Sequence, residues 1–354
     1  MKLLETTIAG IRPPDAAVRA QARNRLEQLT MPYWALGRLM DLAEELAGMT
    51  GSVRPPVERK TVVTMAADHG VAEEGVSKYP REVTLQMIYN FVSGGAGINA
   101  LARLAGARVV VVDMGVAGDV AGLVNEGKII GKSIGLGTKN MAAGPAMSAE
   151  EAIRCVEAGI EVALELESST DVFGTGEMGI GNTTPSSAIV SVFSGKPVEE
   201  ITGRGTGLDD RQLRHKISVI EKSLMLHRPD PEDALKVLAS VGGFEIGGIA
   251  GLILGAASMQ KPILVDGFIS TAGALIAKRI APLSADYMIA SHLSVERGHR
   301  IALEALGKKP LLNLDLRLGE GTGAALAMYL IDAAVRVLTE VATFEEASVS
   351  RADK

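Results

Sequence analysis

Apolar residues recur at spacings of three and four over Ala16–Leu29 and again over Tyr33–Ala47, the mark of helices with one buried face. A turn follows at Arg54-Pro55-Pro56, and beyond it the pattern changes. Short, nearly unbroken apolar runs appear at Thr61–Ala67, Arg108–Met114, Asp171–Thr175, Pro262–Asp266 and Tyr287–Ala290. Helical patterns lie between them, notably Ala149–Leu166, Asp209–Leu226 and Pro231–Ala239. Continuous apolar strands separated by helices predict an α/β fold, with a mostly parallel sheet covered on both faces. A last helix, Gly323–Val341, is rich in Ala, Leu and Met and is expected to pack with the N-terminal helices. The expected division is a small helical domain from residues 1–55 plus 324–354, and a large α/β catalytic domain from 56–323.

Composition narrows the class. The chain has 354 residues, enough for a large core. Hydrophobic residues make up 47% but aromatics only 3%, so the core must be aliphatic. Forty glycines exceed the usual share of ~7% and cluster after apolar runs, where ligand loops would lie. A net charge of −6 without a basic stripe argues against a nucleic-acid partner. A single cysteine, Cys155, excludes an internal disulfide or a cysteine metal cluster and fits a reducing cytoplasm. No signal-peptide pattern opens the chain. The stretch Ile246–Met259 is too short and too rich in glycine to span a bilayer, so no membrane partner is expected.

Open α/β sheets bind ligands at the carboxyl ends of their strands. Polar and glycine-rich residues follow all five runs: Asp68-His69-Gly70, Asp113-Met114-Gly115, Gly176–Thr184, Asp266-Gly267 and Ser291-His292. The third is the densest, and with Gly174 just ahead of it four glycines surround a carboxylate, Glu177. Glycines let a backbone approach something closely. Gly174-x-Gly176-x-x-Gly179 also spells a dinucleotide fingerprint, with Glu199 about 20 residues on. Two features oppose a nicotinamide-dependent oxidoreductase. Glu177 would stand where the pyrophosphate should lie, and Glu199 follows a turn at Ser194–Pro197 rather than a strand.

Each candidate has a structural alternative. Asp68 and His69 could bind ligand or hold loop backbone, and Asp266 could bind ligand or cap the following helix. Asn182-Thr183-Thr184-Pro185 is a helix start that also suits an anion. Thr202–Gly207, ahead of a helix carrying Lys216, could cradle a phosphate or form a surface turn. Glu320, between Gly319 and Gly321, could serve the helix dipole or act as a general base. His69 and His292 lack the partners of a metal site, so no metal is expected.

Six segments in order resemble one family: Met65–Val71, Gly144–Met147, Gly176–Pro185, Val241–Glu245, Asp266–Ser270 and Arg317–Gly321. The chain resembles the nicotinate-nucleotide:dimethylbenzimidazole phosphoribosyltransferases of cobalamin biosynthesis over residues ~10 to 345. The resemblance implies a Rossmann-like large domain, a small helical domain, a homodimer and no cofactor. It implies transfer of the phosphoribosyl group of nicotinate mononucleotide to a benzimidazole-type base, with inversion at the ribose carbon. Glu320 corresponds to the general base and Glu177 to a glutamate beside the nicotinate ribosyl site. Gly176, Gly179, Asn182, Thr183, Gly203, Gly205 and Lys216 are the choices for the phosphoribosyl side, with Asp266 and Ser291 as further members. Tyr79, Pro80, Gln86, Met87 and Leu318 are the choices for the acceptor base. Tyr79 and Met87 fall where family members carry a serine and a glutamine. A non-catalytic nucleotide sensor is the remaining alternative, opposed by the presence of both Glu177 and Glu320.

Overall fold

The computed structural model describes residues 1–350 except Thr206. Three helices open the chain: α1 (Lys2–Gly10), α2 (Ala16–Leu26) and α3 (Arg38–Thr50). Asp15 caps α2 by accepting from the Ala17 and Val18 amides at 2.8 and 2.9 Å. The second expected helix begins late, at Arg38 rather than Tyr33, because Trp34 takes a positive φ and turns the chain first.

Six strands form one parallel sheet: β1 (Lys60–Ala67), β2 (Ala107–Gly115), β3 (Ile130–Gly131), β4 (Val172–Met178), β5 (Ile263–Val265) and β6 (Met288–Ala290). Their spatial order is β3-β2-β1-β4-β5-β6, the doubly wound order of mononucleotide-binding folds. The five expected strands are present. The sixth, β3, spans two residues and carries no periodicity that a sequence reading could detect. Every residue of β1 is buried, as a central strand covered on both faces requires.

The connecting helices are α4 (Glu82–Val92), α5 (Gly97–Leu104), α6 (Ala121–Asn125) and α7 (Ala149–Glu165), then α8 (Thr183–Ser194), α9 (Val198–Ile201), α10 (Asp210–His227) and α11 (Ala234–Val241). They continue with α12 (Phe244–Ser258), α13 (Phe268–Ile280), α14 (His299–Leu306) and α15 (Thr322–Glu340). Helix α12 runs against α7 with almost no space between backbones. A Cβ on Gly159 or Gly251 would collide with the facing main chain, so both helices need glycine there.

Helix α15 is long and apolar enough, by length and composition, to cross a membrane. In the fold it is a packing helix. Ala324 and Met328 lie over Gly174 of β4, while α2 and α3 cover its other side. An antiparallel bridge pairs Leu29 with Thr343 beside it. The C-terminal helix therefore touches both the sheet and the N-terminal helices.

Strand order reverses between β1 and β4, and a crevice opens at their carboxyl ends. Asp68 and His69 stand at the end of β1, Glu177 at the end of β4, and Asp266 just beyond β5.

Candidate active site

Glycines 174 and 176 lie inside β4, not in a loop after it. This removes the dinucleotide fingerprint, which needs its glycines in a turn between strand and helix. It also corrects the expected role of Gly176. A side chain there would strike the backbone of Glu320, so the close approach that Gly176 permits is to its own chain rather than to a ligand.

That approach builds the site. Gly319, Glu320 and Gly321 all have positive φ, at 82°, 63° and 98°. A glutamate in this region is strained by roughly 1–3 kcal/mol and persists only where surroundings enforce it. The enforcing contacts are explicit. The Thr64 hydroxyl donates to the Glu320 carbonyl at 3.0 Å. Asp266 accepts from the Gly321 amide at 3.1 Å and the Ala324 amide at 3.0 Å. The Ile98 amide, at the start of α5, donates to the Glu320 carboxylate at 3.0 Å. Burial nevertheless raises the Glu320 pKa above the ordinary value, against the opposing pull of that amide.

Glu177 faces this turn. Its carboxylate lies where a Cβ on Gly319 would be, and Asn182 donates to it. Burial, then the nearby Asp266, Glu245 and Glu320, push its pKa up to about 8, with the Asn182 hydrogen bond opposing. Glu177 is therefore mostly protonated at neutral pH.

The crevice has a volume of ≈410 Å³. Tyr79, Val83, Met87, Met178, Ile180 and Leu318 form an apolar side beside Glu320. Thr183, Gly205, Glu296 and Arg317 form a polar end. Gly179 and Asn182 also line it. Lys216 stands behind this end, buried, with its ammonium donating to Thr183 at 2.6 Å. Burial lowers its pKa to about 8, with Glu296 opposing.

Several expected members stand elsewhere. Asp266 does not line the cavity and caps α15, not the helix that follows it in sequence. Ser291 is buried, without a hydrogen-bond partner for its hydroxyl among the described residues, and is not at the cavity wall. Gly203 backs the Glu296 carboxylate rather than the cavity. Pro80 and Gln86 are exposed and do not line it, since α4 turns Val83 and Met87 inward instead. Arg204 is held by the Leu208 carbonyl and Asp210. Thr206 of the same glycine loop lies outside the described residues. Asp68 holds loop backbone at Ala117 (2.8 Å), and His69 pairs with Glu245 at 2.8 Å in the interior.

Sequence reading assigned no site role to Arg317, Glu296 and Phe268 at the cavity wall, and considered His292 there only as a strand-end residue without the partners of a metal site. Arg317 was visible within the motif that ends in Gly321, but a charged residue before a glycine turn has no distinctive pattern. His299 supports the wall from behind. The Ser294 amide donates to its Nδ1 at 2.9 Å, so its proton sits on Nε2, 3.0 Å from the Thr271 hydroxyl. Burial lowers its pKa to about 3, and it stays neutral.

A doubly wound sheet with an acid-rich crevice at its reversal point defines an α/β enzyme acting on a nucleotide-sized substrate. A family model described as a phosphoribosyltransferase matches residues 11–349. The nicotinate-nucleotide–dimethylbenzimidazole phosphoribosyltransferase of Syntrophotalea carbinolica is 62% identical over 351 residues, covering 99% of each chain. That of Desulfotalea psychrophila is 57% identical over 355 residues, covering both chains fully. The crystal structure of the Thermus thermophilus enzyme of that name superposes with a TM-score of 0.90 at 46% identity, covering 96% of this chain and 100% of that one. The chain belongs to the nicotinate-nucleotide–dimethylbenzimidazole phosphoribosyltransferase family and is a pentosyltransferase.

The Asp266 contacts carry a prediction. Asp266→Asn places an amide donor among backbone donors and loosens the Glu320 turn. A displacement of about 1 Å at a general base costs on the order of 10²-fold, so with Glu320 in that expected role kcat should fall by roughly 10- to 100-fold. Loss of the Asp266 charge also removes one influence that raises the Glu320 pKa. The acidic limb of the rate profile should therefore move to lower pH. A fall in rate with an unmoved limb would mean that Asp266 supports only the fold.

Proposed function

We propose that the enzyme transfers the 5-phosphoribosyl group of nicotinate mononucleotide to 5,6-dimethylbenzimidazole or a related base. The products are nicotinate and α-ribazole 5′-phosphate, for the nucleotide loop of cobalamin. The observation that carries this reading is Glu320. It is a buried carboxylate held in a strained turn between an apolar wall and a second carboxylate.

The chemistry asks for that arrangement. The bond from ribose carbon to pyridinium nitrogen breaks, and its electron pair stays on nicotinate, so no acid is needed for the leaving group. Positive charge develops on the ribose, and Glu177 with its neighbouring carboxylates stabilises it. The unprotonated ring nitrogen of the benzimidazole attacks from the opposite face, which inverts the carbon, and the proton on its other ring nitrogen passes to Glu320. Tyr79, Val83, Met87 and Leu318 suit the flat apolar acceptor. Thr183, Gly205, Lys216 and Arg317 suit the phosphate.

The same reading carries a homodimer, a cytoplasmic setting and no metal cofactor. It also carries the division into residues 1–55 with 324–354 and residues 56–323, supported by the packing of α2 and α3 on α15. The test is incubation of the purified protein, without added metal, with nicotinate mononucleotide and a panel of bases. Nicotinate release together with an α-configured ribotide is the expected result. A ribotide of β configuration would overturn the inversion, and no ribotide from any base would overturn the reading.

A further inference from the structure

The polar end of the crevice contains a charge of the wrong sign for a phosphate. Glu296 lines the same wall as Thr183, Gly205 and Arg317. Its Oε2 reaches so close to Gly203 that a side chain there would collide with it. That oxygen has no hydrogen-bond partner among the described residues. Burial raises the Glu296 pKa, while Lys216, Arg317 and the Gly205 amide pull it down. These are the groups that would receive a phosphate; Lys216 donates to Thr183 rather than to Glu296, whose Oε2 is unpaired among the described residues. The backbone of this residue is anchored separately. Its amide donates to the Ser294 hydroxyl at 3.2 Å, and its carbonyl accepts from the His299 amide at 2.9 Å. The carboxylate can therefore turn about its own side-chain bonds without moving the chain.

We propose that Glu296 is a resident competitor for the substrate's phosphate, a carboxylate that shares the cations and amides of the phosphate subsite and sets how tightly phosphorylated ligands are held. This rests on the phosphoribosyl transfer proposed above. In that reaction substrate and product keep the same phosphate, so phosphate contacts bind both equally and do not accelerate the chemical step. A competing internal anion lowers the affinity for both, which favours product release.

The test is Glu296→Gln, which keeps shape and removes charge, with Glu296→Ala as a second variant. Binding of inorganic phosphate and of nicotinate mononucleotide is measured calorimetrically, with the unphosphorylated riboside as control. With the like charge beside the phosphate removed, both phosphate ligands should bind about tenfold tighter to the Gln variant. The riboside should be unchanged. Unchanged or weaker phosphate binding in a folded variant would overturn the proposal, as would equal tightening of the riboside. The inorganic-phosphate measurement decides on Glu296 by itself. Failure of the transfer reading would show separately, as no ribotide from the unaltered enzyme.

Discussion

Glu320→Gln should lose 10²- to 10⁴-fold in kcat, the usual contribution of a positioned general base, while binding nicotinate mononucleotide with little change. The variant is chosen because it preserves the architecture. A glutamine oxygen can still accept from the Ile98 amide that now meets the carboxylate at 3.0 Å. The Thr64 and Asp266 bonds fall on backbone atoms and are unaffected. In the proposed reaction, what disappears is the acceptor of the benzimidazole proton. The pH profile supplies a second readout. A base works only when ionised, and burial places the Glu320 pKa above the ordinary carboxyl value. The rate of the unaltered enzyme should thus fall as pH drops through that raised value, and the Gln variant should lack this limb. Retention of activity within a few-fold would remove Glu320 from the chemistry and leave it as a strained structural residue.

How much of this site was legible in the sequence depends on what each residue answers to. The strands were readable because a strand buried on both faces is written as a nearly unbroken apolar run, as in Thr61–Ala67. The two carboxylates stood out because a charge inside a glycine run is costly unless it has a task. What the glycines were for was not readable. Gly174 and Gly176 admit Met328 and the Glu320 turn, contacts separated by about 150 positions in the chain, and no local pattern encodes them. Asp266 was misassigned for the same reason. Its position before α13 suggests a cap for that helix, whereas it caps α15 across the sheet. Gln86 and Met87 differ by one position on α4, about 100° of rotation, and only the packed helix shows which side chain faces the cavity. Glu296 had no signal, because its partners Gly205, Lys216 and Arg317 come from two loops and helix α10, far apart in the chain.

Glu177→Gln should make the enzyme more stable and much slower, and the two effects share one cause. Glu177 is buried among acids, and its pKa is pushed up to about 8. A carboxyl raised in this way contributes stability that is whole below the unfolded pKa, near 4.5, and is lost as pH climbs to about 8. At pH 7 the unfolded chain gains by ionising a group that the fold keeps protonated, a penalty on the order of 3 kcal/mol. Glutamine carries no such penalty and can still accept from Asn182. The melting temperature of the variant should therefore exceed that of the parent at pH 8, with the gap closing towards pH 5. Lys216 does not confuse this window. Its pKa is lowered to about 8, so its stability is lost as pH falls from 10.5 to about 8, above the range in question. Activity should move the other way. In the proposed reaction the positively charged pyridinium nitrogen of the bound nucleotide, set beside Glu177, favours its ionised form, and that charge then faces the developing positive carbon. Removing a preorganised electrostatic partner of this kind costs roughly 10²-fold. In the proposed reaction, the proton that weakens the fold is the one the substrate displaces, and a site that stabilises a developing cation has to hold an acid in a place where folding alone would not choose one. Equal melting curves across pH 5–8 would mean that Glu177 is ionised in the free enzyme, and the destabilisation argued here would fall.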